Sequence, residues 1–375
     1  MASSSVVASC GKLPNFAEDQ LGLAVSCGLN HLALALMPLH YRIGVSTSSL
    51  RRSVEWTIFY PGSCVNVPAT QSPARVAMKS IILALVAAAL TIGFGAAISP
   101  GSFFMGLPVI AALFLGVFLI QWVGFAIAWF LHTERYYDLT GSLTYIAVIA
   151  LAWFMGDGPA PGAELLLIAV SVWAIRLGSF LFLRVLEVGE DQRFRHIKVS
   201  APRFFMAWTL QGMWVSFTVS AVLVALLPGN AASDFLPAGL SRAVFVAGCC
   251  LAIVGLLFEV IADHQKARFR KNPENKGRFI QTGLWSRCRH PNYFGEIVFW
   301  FGLALAASPA MSGAQHLAWL SPMFVYLLLT RLSGIPTLAK RGHQLWGGNP
   351  EYQAYLARTP KLVPKFMVAG EGSAR

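Results

Sequence analysis

The chain has 375 residues, of which 29 are Lys or Arg and 17 are Asp or Glu, so its net charge is +12. Only 12% of residues are charged and 56% are hydrophobic, against about 25% charged in an ordinary soluble domain. This composition excludes a disordered chain, which needs low hydrophobicity, and argues against a soluble globular protein. We therefore interpret the basic excess as charge that flanks membrane spans, and expect no nucleic-acid partner.

Residues 1–75 differ in composition from the rest of the chain. They begin MASSSVVASC, are rich in Ser and Arg, and contain only Glu18, Asp19 and Glu55 as acids. This pattern is typical of an organelle targeting segment, and an unstructured tail accounts for it equally well. We expect a targeting or disordered region over 1–75 and a membrane domain over 76–375.

Long apolar runs with few charges follow, and runs of about 20 residues indicate membrane spans. They predict an all-α, polytopic membrane helical bundle with seven or eight transmembrane helices, of which the last two form a hairpin. The count is seven if that hairpin is re-entrant. The predicted spans are Met78–Ser99, Leu107–Leu131, Leu139–Met155, Glu164–Leu183, Phe204–Leu227, Ala243–Ala262, Pro291–Pro309 and Ala314–Ser333.

Lys and Arg are distributed unevenly between alternate loops. The loops without either residue are 96–106, 156–163, 228–240 and 310–313. The basic segments are 132–138, 184–203, 263–290 and the tail after 333. The positive-inside rule puts the basic loops and the C-terminus on the cytoplasmic side, or the stromal side of a plastid. We expect a multi-pass protein of the endoplasmic reticulum or of a plastid or other organelle membrane.

Ionisable residues inside predicted spans are candidates for function, because burying a charge there is costly. The best case is Arg176, well inside the fourth span, and Glu259 lies in the sixth. Arg176 can serve as a structural partner of Glu259 or another buried acid, or it can contact a ligand. The residues alone leave both interpretations open.

Asp263, Lys266 and Arg270 have the spacing of one helical face. They share that face with Glu259 if the sixth helix continues beyond the membrane. Such a face can bind a sugar hydroxyl through its acid and phosphates through its bases. Spacing alone favours the simpler interpretation of a solvated, salt-bridged helix end.

A further candidate site lies where the seventh span begins at Pro291, since proline is favoured in the first helical turn. Asn292 and Glu296 then lie near a positive helix end, where phosphates and carboxylates bind. Signatures of soluble nucleotide and hydrolase sites are missing from the sequence. The cysteine spacings predict neither a disulfide framework nor a zinc site, and we expect no metal.

The segment Gly283–Glu296, GLWSRCRHPNYFGE, resembles the membrane reductases related to steroid 5-alpha-reductase and to the sterol C14-reductases. The similarity is closest to the group with a steroid 5-alpha-reductase C-terminal-like domain, and it covers about 130–365. Supporting matches are Tyr136–Val148, Arg176–Arg184, Arg203–Trp214, Ala262–Arg270 and Glu351–Pro364.

The resemblance implies an enzyme that transfers hydride from NADPH to a carbon–carbon double bond of a lipophilic, sterol-like or lipid-like substrate. It implies that about 200–365 form the cofactor-binding part, at the cytoplasmic ends of the last spans. The implied cofactor contacts are Asp263, Lys266, Arg270, Trp285, His290, Asn292, Tyr293, Glu296, Arg341, Tyr352 and Tyr355.

The chemical step needs a group that polarises the substrate carbonyl, because stabilising the enolate oxygen lowers the barrier. A tyrosine hydroxyl or a protonated carboxyl suits this role. The candidates near the membrane boundary are Tyr136, Tyr137, Asp138 and Glu259. The resemblance gives Glu296 a role at the nicotinamide end of the cofactor.

Two other interpretations stay open. Isoprenylcysteine carboxyl methyltransferases share part of the RHPNY pattern and bind S-adenosylmethionine. A non-catalytic protein that keeps the fold is the third possibility. The acid in HPNYFGE and the acid–base face Asp263–Arg270 favour the reductase. The residues do not indicate an oligomeric state.

Overall fold

The computed structural model describes residues 42–47, 54–60, 63–67, 73–156, 158–191, 193–227 and 237–365. The chain forms two compact units, Met1–Val76 and Ala77–Arg375.

The first unit contains a three-stranded antiparallel sheet of β1 (Arg42–Thr47), β2 (Val54–Tyr60) and β3 (Ser63–Val67). Arg42 pairs with Phe59 across β1 and β2. No strand was predicted here from the sequence, although β-branched and aromatic residues in VEWTIFY favour one. Residues 1–41 lie outside the described part, and the targeting role stays a prediction.

Eight helical segments of the described chain are long and apolar enough to cross a membrane. The fold is therefore an all-α polytopic bundle, as predicted. The first seven are α1 (Pro73–Ala97), α2 (Val109–Phe130), α3 (Tyr137–Met155), α4 (Ala163–Val188), α5 (Ala201–Leu226), α6 (Ala238–Lys271) and α8 (Pro291–Ala307). Between them lie the two-residue strands β4 (Phe103–Phe104) and β5 (Leu107–Pro108) and the short helix α7 (Leu284–Arg287).

The eighth span, Gly313–Trp346, is not one regular helix. It begins as a 3-10 helix (Gly313–Trp319), continues as α9 (Leu320–Leu327) and then becomes a π-helix (Leu328–Leu332). After Ser333 the chain forms α10 (Gly334–Trp346) and then α11 (Pro350–Arg358). The Asn349 side chain caps α11 by accepting from the Glu351 N–H at 2.8 Å.

The core lies around α5, whose inner residues such as Val219 and Leu223 are fully buried. Aromatic rings from three neighbouring helices complete it. Trp173 lies 5.1 Å from Tyr145 and 5.0 Å from Trp300 between ring centroids. The outer faces of the helices instead expose large aliphatic side chains, such as that of Leu90, as expected for surfaces in contact with lipid.

Helices α6 and α8 are in backbone-to-backbone contact. A Cβ atom added at any of four glycines would collide with the backbone of the opposite helix, so only glycine allows this separation. The glycines are Gly248 and Gly255 in α6 and Gly295 and Gly302 in α8. Small residues permit the same close approach between membrane helices in general. The contact sets Glu259 of α6 beside the first turns of α8.

The described loops keep the predicted alternation of charge, and Arg242 near the start of α6 lies at the end that is otherwise poor in Lys and Arg. The orientation of the bundle in a membrane stays a prediction.

Candidate functional site

A buried group of charged residues connects α4 and α6 inside the bundle. Arg176 forms ion pairs with Glu259 and with Asp263, the latter at 3.0 Å. The Trp173 Nε1–H donates to Glu259 Oε2 at 3.0 Å. Arg176 therefore contacts the acid that the sequence analysis offered as its partner. The ion pairs compensate for the cost of burying these charges among apolar helices.

Glu296 of α8 belongs to the same group. It is 7% exposed and interacts electrostatically with Glu259, Asp263 and Arg176. Within the described ranges its carboxyl group makes no side-chain hydrogen bond or ion pair. We call Arg176, Glu259, Asp263 and Glu296 the acid cluster. It brings three carboxyl groups together with a single guanidinium.

Four cations lie together where α4, α6 and α10 leave the bundle. Lys266 and Arg270 each interact electrostatically with Arg184 and Arg341. In the part of the chain that the structure describes, Lys266, Arg270 and Arg341 form no ion pair. Arg184 has only a 3.9 Å approach to Asp191. We call these four residues the cation cluster.

The cation cluster adjoins the acid cluster through Asp263, which interacts with both Lys266 and Arg270. This Asp263 carboxylate already pairs with Arg176, so it does not neutralise the four cations. Like charges that face one another repel, and this arrangement is suited to an anionic ligand. The predicted face of α6 is thus present. Its two acids, Glu259 and Asp263, form ion pairs with Arg176, whereas Lys266 and Arg270 form none in the described chain.

Aromatic side chains border the cation cluster. The Lys266 ammonium lies 4.5 Å from the centroid of the Trp285 ring, in cation–π geometry. His290 stacks on Tyr293 with 5.7 Å between ring centroids. Burial, together with the neighbouring Lys266, Arg289 and Lys361 charges, lowers the pKa of His290 to about 3. His290 is therefore neutral near pH 7, and its buried Nδ1 has no described hydrogen-bond partner.

The C-terminal segment closes over the loop before α8. The Tyr355 hydroxyl donates to the Trp285 carbonyl at 2.8 Å, and burial raises the pKa of Tyr355. Tyr352 packs on Phe279 at 5.0 Å between ring centroids. Tyr355 therefore holds the backbone of Trp285, and Tyr352 packs on the loop that precedes it. A direct contact of either with a cofactor stays a prediction, as does that of Asn292 on the first turn of α8.

Tyr137 and Asp138 lie in a different set of contacts, at the start of α3. The Tyr137 hydroxyl donates to the Ala207 carbonyl at 2.9 Å, and Asp138 accepts from Arg193 at 2.7 Å. Arg193 also interacts electrostatically with Tyr293, so these contacts neighbour the site. Their described bonds are structural, and a catalytic role for either residue stays a prediction.

Tyr145 of α3 was not predicted as a site residue from the sequence. Its side chain is buried among Trp173 and Trp300, its hydroxyl lies 2.5 Å from Thr218 Oγ1, and it interacts electrostatically with Glu296. A tyrosine inside an apolar span was the available signal, because a buried hydroxyl needs a polar partner. Tyr145 is thus a phenol beside the acid cluster.

These features describe a polytopic membrane bundle with a buried acid cluster and an adjoining site for an anion. The family model that matches residues 124–359 is described as Protein of unknown function (DUF1295). It covers more than half of the chain, and the chain belongs to this family.

Curated relatives match shorter segments. The Probable O-methyltransferase ustE of Ustilaginoidea virens is 33% identical over 124 residues, covering 30% of this chain and 44% of that protein. The 3-oxo-5-alpha-steroid 4-dehydrogenase 1 of Rattus norvegicus is 31% identical over 120 residues, covering 32% and 41%. The Delta(14)-sterol reductase TM7SF2 of Mus musculus is 32% identical over 165 residues, covering 40% and 36%.

The chain thus spans less than half of the length of each of these three relatives. No solved structure matches the chain. The resemblance to the steroid 5-alpha-reductase group is confirmed at the level of the family.

Proposed function

We propose that this protein is a membrane oxidoreductase that reduces a carbon–carbon double bond of a lipophilic substrate with NADPH. The observation that carries the proposal is the cation cluster Arg184, Lys266, Arg270 and Arg341, which has little acidic compensation and lies next to buried carboxyl groups. NADPH has three phosphate groups, and cations without acidic partners in close contact suit such a ligand. The relatives named as a steroid dehydrogenase and a sterol reductase support the same class of reaction.

The residues around the cluster fit the rest of such a cofactor. Trp285, His290 and Tyr293 provide aromatic surfaces, and Asp263 provides an acid for a ribose hydroxyl. The neutral His290 keeps a buried ring nitrogen without a described partner. When bound, NADPH would supply the hydride. The phosphates would lie on the cation cluster, with the nicotinamide directed toward Glu296.

Reduction of an activated double bond also consumes a proton, and we assign its delivery to Glu296. An unpaired carboxylate in an apolar interior is costly, and the single guanidinium of Arg176 is already bound to two other carboxylates. A neutral Glu296 avoids this cost and holds a proton inside the bundle. The Tyr145 phenol beside it is placed to polarise a substrate carbonyl.

The relative named as a probable O-methyltransferase supports a second candidate, a methyltransferase that uses S-adenosylmethionine. This cofactor has no phosphate and contains a cationic sulfonium, so the cation cluster would repel its charged centre. The same surface would attract NADPH. The charge of the cluster therefore favours the reductase.

Equilibrium binding to the purified full-length protein in detergent tests the two candidates. We expect the nicotinamide fluorescence of NADPH to change on saturable binding, and we expect S-adenosylmethionine not to displace it. Because NADPH has a 2′-phosphate that NADH lacks, NADH should bind more weakly. Saturable binding of S-adenosylmethionine without NADPH binding would replace the reductase proposal by the methyltransferase.

A further inference from the structure

A short β-hairpin joins the first two spans, outside the segment that the family model matches. Its strands β4 and β5 are separated by a two-residue turn of Met105 and Gly106. Both turn residues have a positive φ, 50° for Met105 and 80° for Gly106, as in a type I′ turn. The hairpin belongs to neither the acid cluster nor the cation cluster, so it is independent of the proposed function.

Methionine is an unusual residue for the tip of this turn. Positions with positive φ favour glycine, asparagine and aspartate, because other side chains are strained there. The Met105 side chain is 88% exposed, so contacts within the described chain do not offset the strain. Strain that the protein itself does not compensate indicates a function for the side chain outside it.

Both faces of the hairpin are apolar. Residues paired across two strands point to the same side, so Phe103 shares one face with Pro108, and Phe104 shares the other with Leu107. Phe103 is 69% exposed and Phe104 is 47% exposed. A strand pair beside water normally turns polar residues outward, and an exposed apolar patch marks an interaction site.

The positions of the two spans place the hairpin at the membrane surface. Helices α1 and α2 have 25 and 22 residues, so at about 1.5 Å per residue each can cross a hydrocarbon core of about 30 Å. The link 98–108 therefore lies where α1 leaves the membrane and α2 enters it. Two bonds hold it to the start of α2: Ile110 N–H donates to Ser99 Oγ at 3.0 Å, and Val109 N–H donates to the Ser102 carbonyl at 3.1 Å.

The surroundings of the hairpin select the chemistry of its partner. No Asp, Glu, Lys or Arg occurs from 80 to 133, so this part of the chain offers no charged rim of the kind that surrounds an interface with a soluble protein. Backbone groups at the strand edges would be unsatisfied in hydrocarbon, which excludes the core of the bilayer. The boundary between headgroups and acyl chains provides apolar contact together with water.

We infer that Phe103, Phe104 and Met105 insert into the boundary between the headgroups and the acyl chains of the bilayer that α1 and α2 cross. The hairpin then anchors this end of the two spans at a fixed depth. Methionine supplies the apolar tip that the favoured Asn-Gly turn would lack. The partner of this surface is thus lipid, and not a second copy of the chain or another protein.

The test uses the full-length protein in phosphatidylcholine nanodiscs, with a fluorescent, environment-sensitive amino acid in place of Met105. The control carries it in place of Pro161, an exposed residue of the loop between α3 and α4 at the same end of the bundle. Lipids brominated near the headgroup or near the chain end quench the probe on contact. We expect blue-shifted emission at 105, with quenching at least twofold stronger by the shallow bromines, and water-like emission at 161.

Two substitutions test the apolar tip without a probe. Met105→Asn gives the turn its favoured Asn-Gly sequence, so the hairpin stays folded while the apolar tip is lost. Met105→Leu keeps the tip apolar. Hydrogen–deuterium exchange over 101–108 in nanodiscs should be about tenfold faster in the Asn variant than in the wild type, since burial of a methionine side chain contributes at least that factor. The Leu variant should exchange as slowly as the wild type.

Three results would overturn the inference. The first is water-like emission at 105 without quenching. The second is blue-shifted emission that neither brominated lipid quenches, because a second chain or another protein would then cover the tip. The third is equal exchange in the wild type and the Met105→Asn variant. These measurements do not involve NADPH, so failure of this inference is distinguishable from failure of the proposed function.

Discussion

The loop between α4 and α5 and the extension of α6 are both basic, yet they use their charges differently. In the loop, Arg193 binds Asp191 and Asp138, and Lys198 binds Glu134 at 2.7 Å. On α6, Lys266 and Arg270 have no such partners in the described chain. Charges that are paired within the protein hold the fold together, whereas unpaired charges that face one another are available to a ligand. Lys and Arg content alone does not separate these two uses.

Glu296→Gln should have the largest effect, because an amide cannot deliver a proton and the side chain adjoins the proposed nicotinamide position. We expect turnover to fall about a hundredfold or more, with little loss of stability. Turnover is measured as NADPH oxidation coupled to reduction of an activated alkene, and stability is measured by thermal unfolding. Retained turnover in the Gln variant would remove Glu296 from the chemistry.

Arg270→Gln should weaken NADPH binding about tenfold to a hundredfold, as expected for the loss of one charged hydrogen bond. Arg268→Gln is the matched control, because it removes the same charge from another face of α6. A fluorescence titration gives both dissociation constants. Equal affinities for the two variants would mean that the cation cluster is not the phosphate site.

His290 should make stability depend on pH in a definite direction. Its folded-state pKa of about 3 lies below the ordinary value of about 6.5, so between these values the unfolded chain binds more protons. The contribution of His290 to the free energy of unfolding is complete above about pH 6.5. It is lost as the pH falls, by up to about 2 kcal/mol between pH 7 and pH 5. The melting temperature, measured across that pH range, should depend less steeply on pH for His290→Gln than for the wild type. The control is His264→Gln, at an exposed histidine. If the melting temperature of His290→Gln depends on pH as steeply as that of the wild type, the buried neutral state of His290 is contradicted.

Glu134→Gln should affect stability and leave NADPH affinity unchanged. The Glu134 side chain is 3% exposed, binds Lys198 and accepts from the Asp191 N–H at 3.0 Å. We expect a loss of about 1–2 kcal/mol, measured as a lower melting temperature. Glu190→Gln, in a more exposed pair with Arg195, should cost less than about 1 kcal/mol. A change in cofactor affinity would show that the paired loop also serves the ligand.

Hydropathy and charge predicted the fold well, because a span is a local property of about 20 residues. Each of the eight predicted segments overlaps one of the eight long apolar helical segments. Helix α6 continues to Lys271, as the spacing of Asp263, Lys266 and Arg270 required. The sheet over Arg42–Val67 was not expected, since strand pairing joins separated segments that are individually unremarkable in sequence.

The site was only partly predictable. Helical spacing placed Glu259, Asp263 and Lys266 on one face, but the approach of Glu296 depends on backbone contact between two helices. The partners of Tyr145 and Asp138 are likewise distant in sequence. Such contacts follow from tertiary packing and have no periodic signal in the chain.

The glycine contacts between α6 and α8 also restrict how a substrate can arrive. With backbones touching at Gly248, Gly255, Gly295 and Gly302, no molecule of sterol or acyl-chain width fits between these two helices. The contact between α6 and α8 thus leaves no opening to the bilayer, and the lipophilic substrate of the proposed reductase would have to enter between other helices. The same backbone contact fixes the positions of Glu259 and Glu296 relative to each other.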